Sequence, residues 1–366
     1  MTVHAAVMRG PGLPLELHRF PDPEPAPGEV ILETVASEVC GTDVHLWHGR
    51  LSGVPYPIIP GHVSVGRVRE SNGVDRDALG EPLAPGDLVT FLDVHGTCHR
   101  CFHCAVALQP NRCASRRVYG ITFPLEEGLL GGWSEAIRLL PGVSILKLPE
   151  SIEADRFIGG GCGLFTGFAA VERGGLRMGE TVVVQGVGPV GLSAVAFAHL
   201  SGAGRIIAIG DPSARRELAA TFGADEVLGL SDTTREERHG RVMELTRGQG
   251  ADLVVEAAGQ PGAVQEGFTL LRDGGRYVVA GHYTDTGTTP LNPHQDLNRK
   301  HAEVRGQWGT ELRHLVGALA LLARHGDRLP FERLAGRAYG LDEVEDALRD
   351  VESLTVTKAI VVPGAR

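Results

Sequence analysis

Six cysteines stand at positions 40, 98, 101, 104, 113 and 162, and four of them crowd together as Cys98-x2-Cys101-x2-Cys104-x8-Cys113. Cysteines three apart cannot all pair with one another, whereas four thiolates at such spacing can close a tetrahedron around Zn²⁺. His99 and His103 lie between them and are read as solvent-facing, because four sulfurs already complete the ligand set. This lobe is expected to be a closed, structural metal site. Cys40 opens Cys40-Gly41-Thr42-Asp43-Val44-His45 after a strand-like stretch over 30–35. His62 stands in the turn Pro60-Gly61-His62, ahead of the alternating Val63, Val65 and Val68. Cys162 lies in Gly159-Gly160-Gly161-Cys162-Gly163, too rich in glycine for a strand interior. Taken singly, each of these three is explained equally well as a buried core side chain.

From residue 181 the chain changes character. Thr181-Val182-Val183-Val184-Gln185 reads as a buried parallel strand, Gly186-Val187-Gly188-Pro189-Val190-Gly191 as a glycine turn, and 192–201 as a helix. A second strand over 205–209 ends at Gly210-Asp211. In that order the first two glycines let the backbone approach a pyrophosphate, and the third lets the helix pack on the sheet. The helix N-terminus then faces the phosphates. Helices over 215–222, 235–246 and 263–271 alternate with strands over 226–228, 253–256 and 276–280. Such alternation predicts an α/β fold with a doubly wound parallel sheet and helices on both faces.

A length of 366 residues calls for two domains at roughly 100–200 residues each. A formal net charge of -10 argues against a general electrostatic grip on nucleic acid. Only Lys147, Lys300 and Lys358 among the 35 basic residues are lysines, which reads as coding bias. The opening residues lack the charged-then-apolar order of a secretory leader, so a cytoplasmic location without disulfides is expected. The stretch 181–204 carries no Asp, Glu, Lys or Arg. Its glycines and proline make it a strand, turn and helix rather than a membrane span.

Together these motifs resemble the zinc-dependent medium-chain alcohol dehydrogenase family over nearly the whole chain. Cys40-Gly41-Thr42-Asp43-Val44-His45, Gly61-His62 and Gly161-Cys162-Gly163-Leu164-Phe165-Thr166-Gly167 match its three ligand motifs in order. The resemblance implies catalytic zinc on Cys40, His62 and Cys162 with an open fourth position. It also implies structural zinc on Cys98, Cys101, Cys104 and Cys113, two ions per chain in all. The implied fold is a Rossmann domain over 163–308, inserted into a discontinuous GroES-like distorted β-barrel over 1–162 and 309–366. Nicotinamide is expected in the cleft between the two.

The implied reaction moves hydride between an alcohol, secondary or polyol, and the nicotinamide cofactor, giving the ketone or aldehyde. The resemblance gives Thr42 and His45 to a proton path and Asp43 to the ring of His62. Gly186, Gly188, Pro189, Val190, Gly191, Asp211 and Arg215 are assigned to the cofactor, with Thr166, His282 and Lys358. Asp211 beside Gly210 favours NAD, since a carboxylate repels a 2′-phosphate; NADP is the alternative, with Arg216 as its support. Trp47, Val94, Phe165 and His282 are read as pocket-lining, while His45, Asp93 and His95 could meet hydroxyls. A homo-oligomer, tetramer over dimer, is expected through the segment 303–308. Two departures stand out. Val63 follows the ligand histidine where the family commonly has Glu, and the lobe has eight residues before its last cysteine where seven is usual. Val63 is the one encouragement for an alternative, a catalytically impaired zinc-binding member with a binding role. A zinc-free reductase of the same fold lacks the ligand set that this chain carries.

Overall fold

The computed structural model describes residues 2–364; Met1, Ala365 and Arg366, which the sequence reading gives to the GroES-like domain, lie outside the described residues. The chain divides into two compact units. One is Met1–Gly161 with Glu311–Gly326 and Pro330–Arg366, and the other is Cys162–Thr310 with Asp327–Leu329.

The first unit is built on a seven-stranded sheet in the order Ala335–Tyr339, Lys358–Val361, Val30–Val39, Ser64–Ser71, Leu88–Phe91 and Ile145–Lys147, with Ala136–Leu139 also pairing Val30–Val39. All its ladders are antiparallel except Ala335–Tyr339 with Lys358–Val361. Side chains alternate across a strand, and the apolar ones gather into a core with Val30, Leu32, Val89, Phe91 and Tyr119. The central strand runs to Val39, beyond the 30–35 read in sequence. Ser37 pairs Ser64 on one side, and Glu38 pairs Ile360 on the other. The segment after Cys40 is a short helix, Gly41–Trp47. Asp43 closes its first turn by accepting from the Cys40 amide at 2.9 Å.

The second unit carries a six-stranded parallel sheet in the order Glu226–Leu228, Arg205–Ile209, Thr181–Gln185, Ala251–Glu256, Leu271–Val279 and Glu303–Gly306. Val182, Val183 and Val184 are fully buried, as a strand covered on both faces must be. Register places Gln185 beside Ile209 and Glu256, and Glu256 beside Val279. The turns that follow these strands therefore leave one edge of the sheet side by side.

A helix over Ala154–Gly174 includes the glycine cluster that the sequence reading left without an element. It is broken at Gly161, whose φ of 49° and ψ of -138° are not helical. Low intrinsic helix propensity is overridden here by close packing: a Cβ on Gly163 would meet Pro189 at 2.6 Å, and one on Gly167 would meet Ser193 at 2.5 Å. Among the described residues, no helix is long and apolar enough to cross a membrane.

Candidate metal centres and dinucleotide edge

Glu38, Cys40, His62 and Cys162 offer ligand atoms that all lie within 4.8 Å of one another. Glu38 and Cys40 are two residues apart, so strand alternation sends both side chains to one face. His62 comes from the chain leading into Ser64–Ser71, and Cys162 follows Gly161 directly on the broken helix. Nε2 of His62 faces Sγ of Cys40 at 3.9 Å and Oε1 of Glu38 at 3.1 Å. Its Nδ1 faces Oδ1 of Asp43 at 3.6 Å. That is the expected pairing, but longer than a hydrogen bond. Two thiols, an imidazole and a carboxylate converging in a buried spot are a donor set suited to zinc.

Lys358, assigned to the cofactor from sequence, is fully buried, and its Nζ donates to Oε2 of Glu38 and to the Gly160 carbonyl. It therefore serves a carboxylate within its own unit. Burial raises the Glu38 carboxyl, but the Lys358 ammonium and the His62 ring outweigh it and hold the group down at about 2. A Cβ on Gly161 would lie 1.9 Å from Oε2 of Glu38, so only glycine lets the helix pass this pair.

On the Gly41–Trp47 helix, Thr42 and His45 are three apart and share a face. His45 is half-buried, its Nδ1 has no hydrogen-bond partner, and burial first, then Arg50 and His48, lower its pKa. Val94 is buried, while Trp47 and His95 are half-buried. Asp93 has Oδ1 unpartnered, and burial raises its carboxyl.

The second cluster is the four-cysteine lobe, where Cys98, Cys101, Cys104 and Cys113 also offer atoms within 4.8 Å of one another. Sγ of Cys113 lies 3.6 Å from that of Cys98 and 3.9 Å from that of Cys101. Zn–S bonds of ordinary length in a tetrahedron separate sulfurs by about 3.8 Å, so the residues fit the ion. The Cys98 amide donates to Sγ of Cys113, which holds that thiol down at about 6. His99 and His103 are exposed, as expected.

At the edge of the parallel sheet, Gly188 caps the helix Pro189–Leu200. Gly186 has a φ of 103°, and a Cβ on Gly191 would lie 1.9 Å from the Gly186 carbonyl oxygen. These are the turn and packing roles that a dinucleotide motif requires. Pro189 and Val190 follow at the start of that helix and are half-buried. Asp211 accepts from the Ser231 amide at 2.7 Å, with the Arg216 guanidinium 3.4 Å away. Arg216 is also paired with Asp232, while Arg215 is buried. Thr166 and His282 are half-buried, and Phe165 is buried. His282 meets Thr286 at 3.0 Å through Nδ1. One residue here escaped the sequence reading. Glu256, fully buried, accepts from the amides of Ala258 at 2.8 Å, Gly259 at 2.6 Å and Gly281 at 3.2 Å. Its signal was a carboxylate ending the apolar run Leu253-Val254-Val255.

Comparison with known proteins agrees with this geometry. Residues 26–150 match the model of the alcohol dehydrogenase GroES-like domain, and residues 189–324 match that of the zinc-binding dehydrogenases. The chain is 36% identical over 351 residues to 5-exo-hydroxycamphor dehydrogenase of Pseudomonas putida, covering 95% of each. Its fold is similar to that of an alcohol dehydrogenase from Thermotoga maritima, with a TM-score of 0.94, 35% identity and 99% of each chain covered. It is also similar to a structure from Sinorhizobium meliloti described as a zinc-binding dehydrogenase bound to NADP, with a TM-score of 0.86, 25% identity, and 99% and 100% covered. The chain therefore belongs to the zinc-dependent medium-chain alcohol dehydrogenases, nicotinamide-dependent oxidoreductases of small molecules.

Proposed function

We propose that the protein interconverts a secondary alcohol or polyol and its ketone with NAD, using catalytic zinc on Cys40, His62 and Cys162. The observation that carries this reading is the convergence of those three residues from distant segments into one cluster, with Cys40 and His62 buried and Cys162 half-buried. When bound there, zinc supplies Lewis acidity to a substrate oxygen, and the nicotinamide exchanges hydride. Asp43 fixes the start of the ligand helix and faces Nδ1 of His62, which leaves Nε2 for the metal. Thr42 and His45 carry the alcohol proton outward, and the unpartnered Nδ1 of His45 is free to take it. A second ion on the four-cysteine lobe is structural. That the Pseudomonas relative is named for hydroxycamphor, itself a secondary alcohol, supports the substrate class.

NAD is favoured because Asp211 places a carboxylate after the second strand, and because Arg216 is already shared between Asp211 and Asp232. Gly186, Gly188, Pro189, Val190 and Gly191 take the pyrophosphate, and Arg215, Thr166 and His282 complete the cofactor site. The strand Glu303–Gly306 is the exposed edge of its sheet, which suits assembly into a homotetramer through strand pairing. Six free cysteines fit a reducing cytoplasm.

The test is metal analysis with a panel of secondary alcohols and polyols, each with NAD⁺ and NADP⁺. Two zinc ions per chain and NAD⁺ reduction by a secondary alcohol are expected. Two ions with no cofactor reduction across the panel would instead favour the impaired, binding member.

A further inference from the structure

We propose that Glu38 is a fourth metal-ligating group of the buried centre and that Lys358 holds it in place, an inference that rests on the catalytic-zinc reading above. The carboxylate common after the ligand histidine is absent, because Val63 stands there. The structure brings another carboxylate to the same cluster from the strand that precedes Cys40.

The separations match those of ligands that share one ion. A tetrahedral zinc with ordinary bonds separates N and O ligands by about 3.3 Å and S and N ligands by about 3.6 Å. The corresponding separations here are 3.1 Å from His62 to Glu38 and 3.9 Å from Cys40 to His62. The two oxygens of Glu38 have divided roles, with Oε2 on Lys358 and Oε1 turned to His62 Nε2. Once that nitrogen gives its lone pair to a metal it has no proton to share. Oε1 then faces the ion in place of the imidazole proton, in a fully buried position.

The surroundings hold this carboxylate firmly. The Glu38 amide donates to the Val63 carbonyl at 3.1 Å, and the Trp133 indole donates to the Glu38 carbonyl at 3.0 Å. Lys358 lies two residues from Ile360, the cross-strand partner of Glu38, so it reaches Glu38 as a diagonal neighbour. Glu38 thus fills the fourth position at rest and yields it to substrate, while Lys358 keeps its charge compensated in both arrangements.

The experiment compares wild type, Glu38→Gln and the charge-neutral pair Glu38→Gln with Lys358→Met. The pair guards against a buried, unpaired ammonium that unfolds the single variant. Cobalt(II) is loaded at the buried centre, and its visible d–d spectrum and rate of loss to a chelator are read. Metal loss at least 10-fold faster and shifted d–d bands in the Gln variants are expected, in the range that loss of a metal-supporting group costs. Wild-type spectra and loss rates in a folded Glu38→Gln or double variant would overturn the inference while leaving the three-ligand centre intact. Wild-type protein that takes up metal only at the four-cysteine lobe would overturn the catalytic-zinc reading, and this inference with it.

Discussion

The two sulfur-containing clusters reach similar geometry by opposite routes. In the lobe, all four ligands come from one short stretch with little regular structure, only π- and 3₁₀-turns and a two-stranded ribbon nearby. Phe102, Val106 and Leu108 stand exposed on it. In the buried centre, the ligands come from a strand end, a turn and a broken helix, and the sheet and its core place them. A metal contributes folding energy where the chain cannot organise the ligands itself. Where the fold already organises them, the metal is freed for chemistry.

The largest expected effect tests the second half of that contrast. Cys162→Ser should take turnover below detection while thermal unfolding stays close to wild type. A variant that keeps full activity would break the catalytic assignment. Cys101→Ser should do the reverse, lowering the unfolding temperature by several degrees at about 2–4 °C per kcal/mol for a domain of this size. An unchanged unfolding curve would show that the lobe does not depend on its ion.

His45→Gln sharpens the comparison by removing the proposed proton carrier without touching a proposed ligand. It should lower kcat roughly 10- to 100-fold, with zinc content unchanged and partial rescue by small amine buffers. Burial depresses the His45 pKa, so the ring stays neutral through the usual histidine range, and activity should fall only at pH below that range. Loss of that acid limb in His45→Gln is expected, whereas loss of one zinc ion per chain would make His45 a ligand. The smallest effect is at Asp211. Asp211→Ser should improve NADP use relative to NAD several-fold in kcat/KM, from roughly 1 kcal/mol for one close charge interaction. A wild type that already prefers NADP would defeat that reading.

Legibility in the sequence followed the same division. The lobe could be read from spacing alone because its geometry is local. The parallel sheet was legible because apolar strands and the glycine turn alternate with helices at short range. Cys40, His62 and Cys162 became a set only through family motifs, since nothing local says that residues 40 and 162 meet. Glu38 was missed because the strand was read as ending at 35, and the alternation that pairs Glu38 with Cys40 runs four residues further. The pairing of Lys358 with Glu38 went unread because no pattern reveals that a lysine is buried against a carboxylate 320 residues away in sequence. The helix through residues 159–163 went unread because its glycines are there for close approach, which only the packed partner discloses.

Glu256 has a consequence for how a dinucleotide is received. Its carboxylate gathers amides from the turn after its own strand and from the turn after the neighbouring one. Two of the loops at the sheet edge are thus tied to a single buried anchor by bonds within the protein itself. Loops ordered in advance lose little conformational freedom on binding, and more of the contact energy then appears as affinity. The edge is preorganised, and the entropy that a mobile site would surrender at each catalytic cycle is surrendered once, when the chain folds.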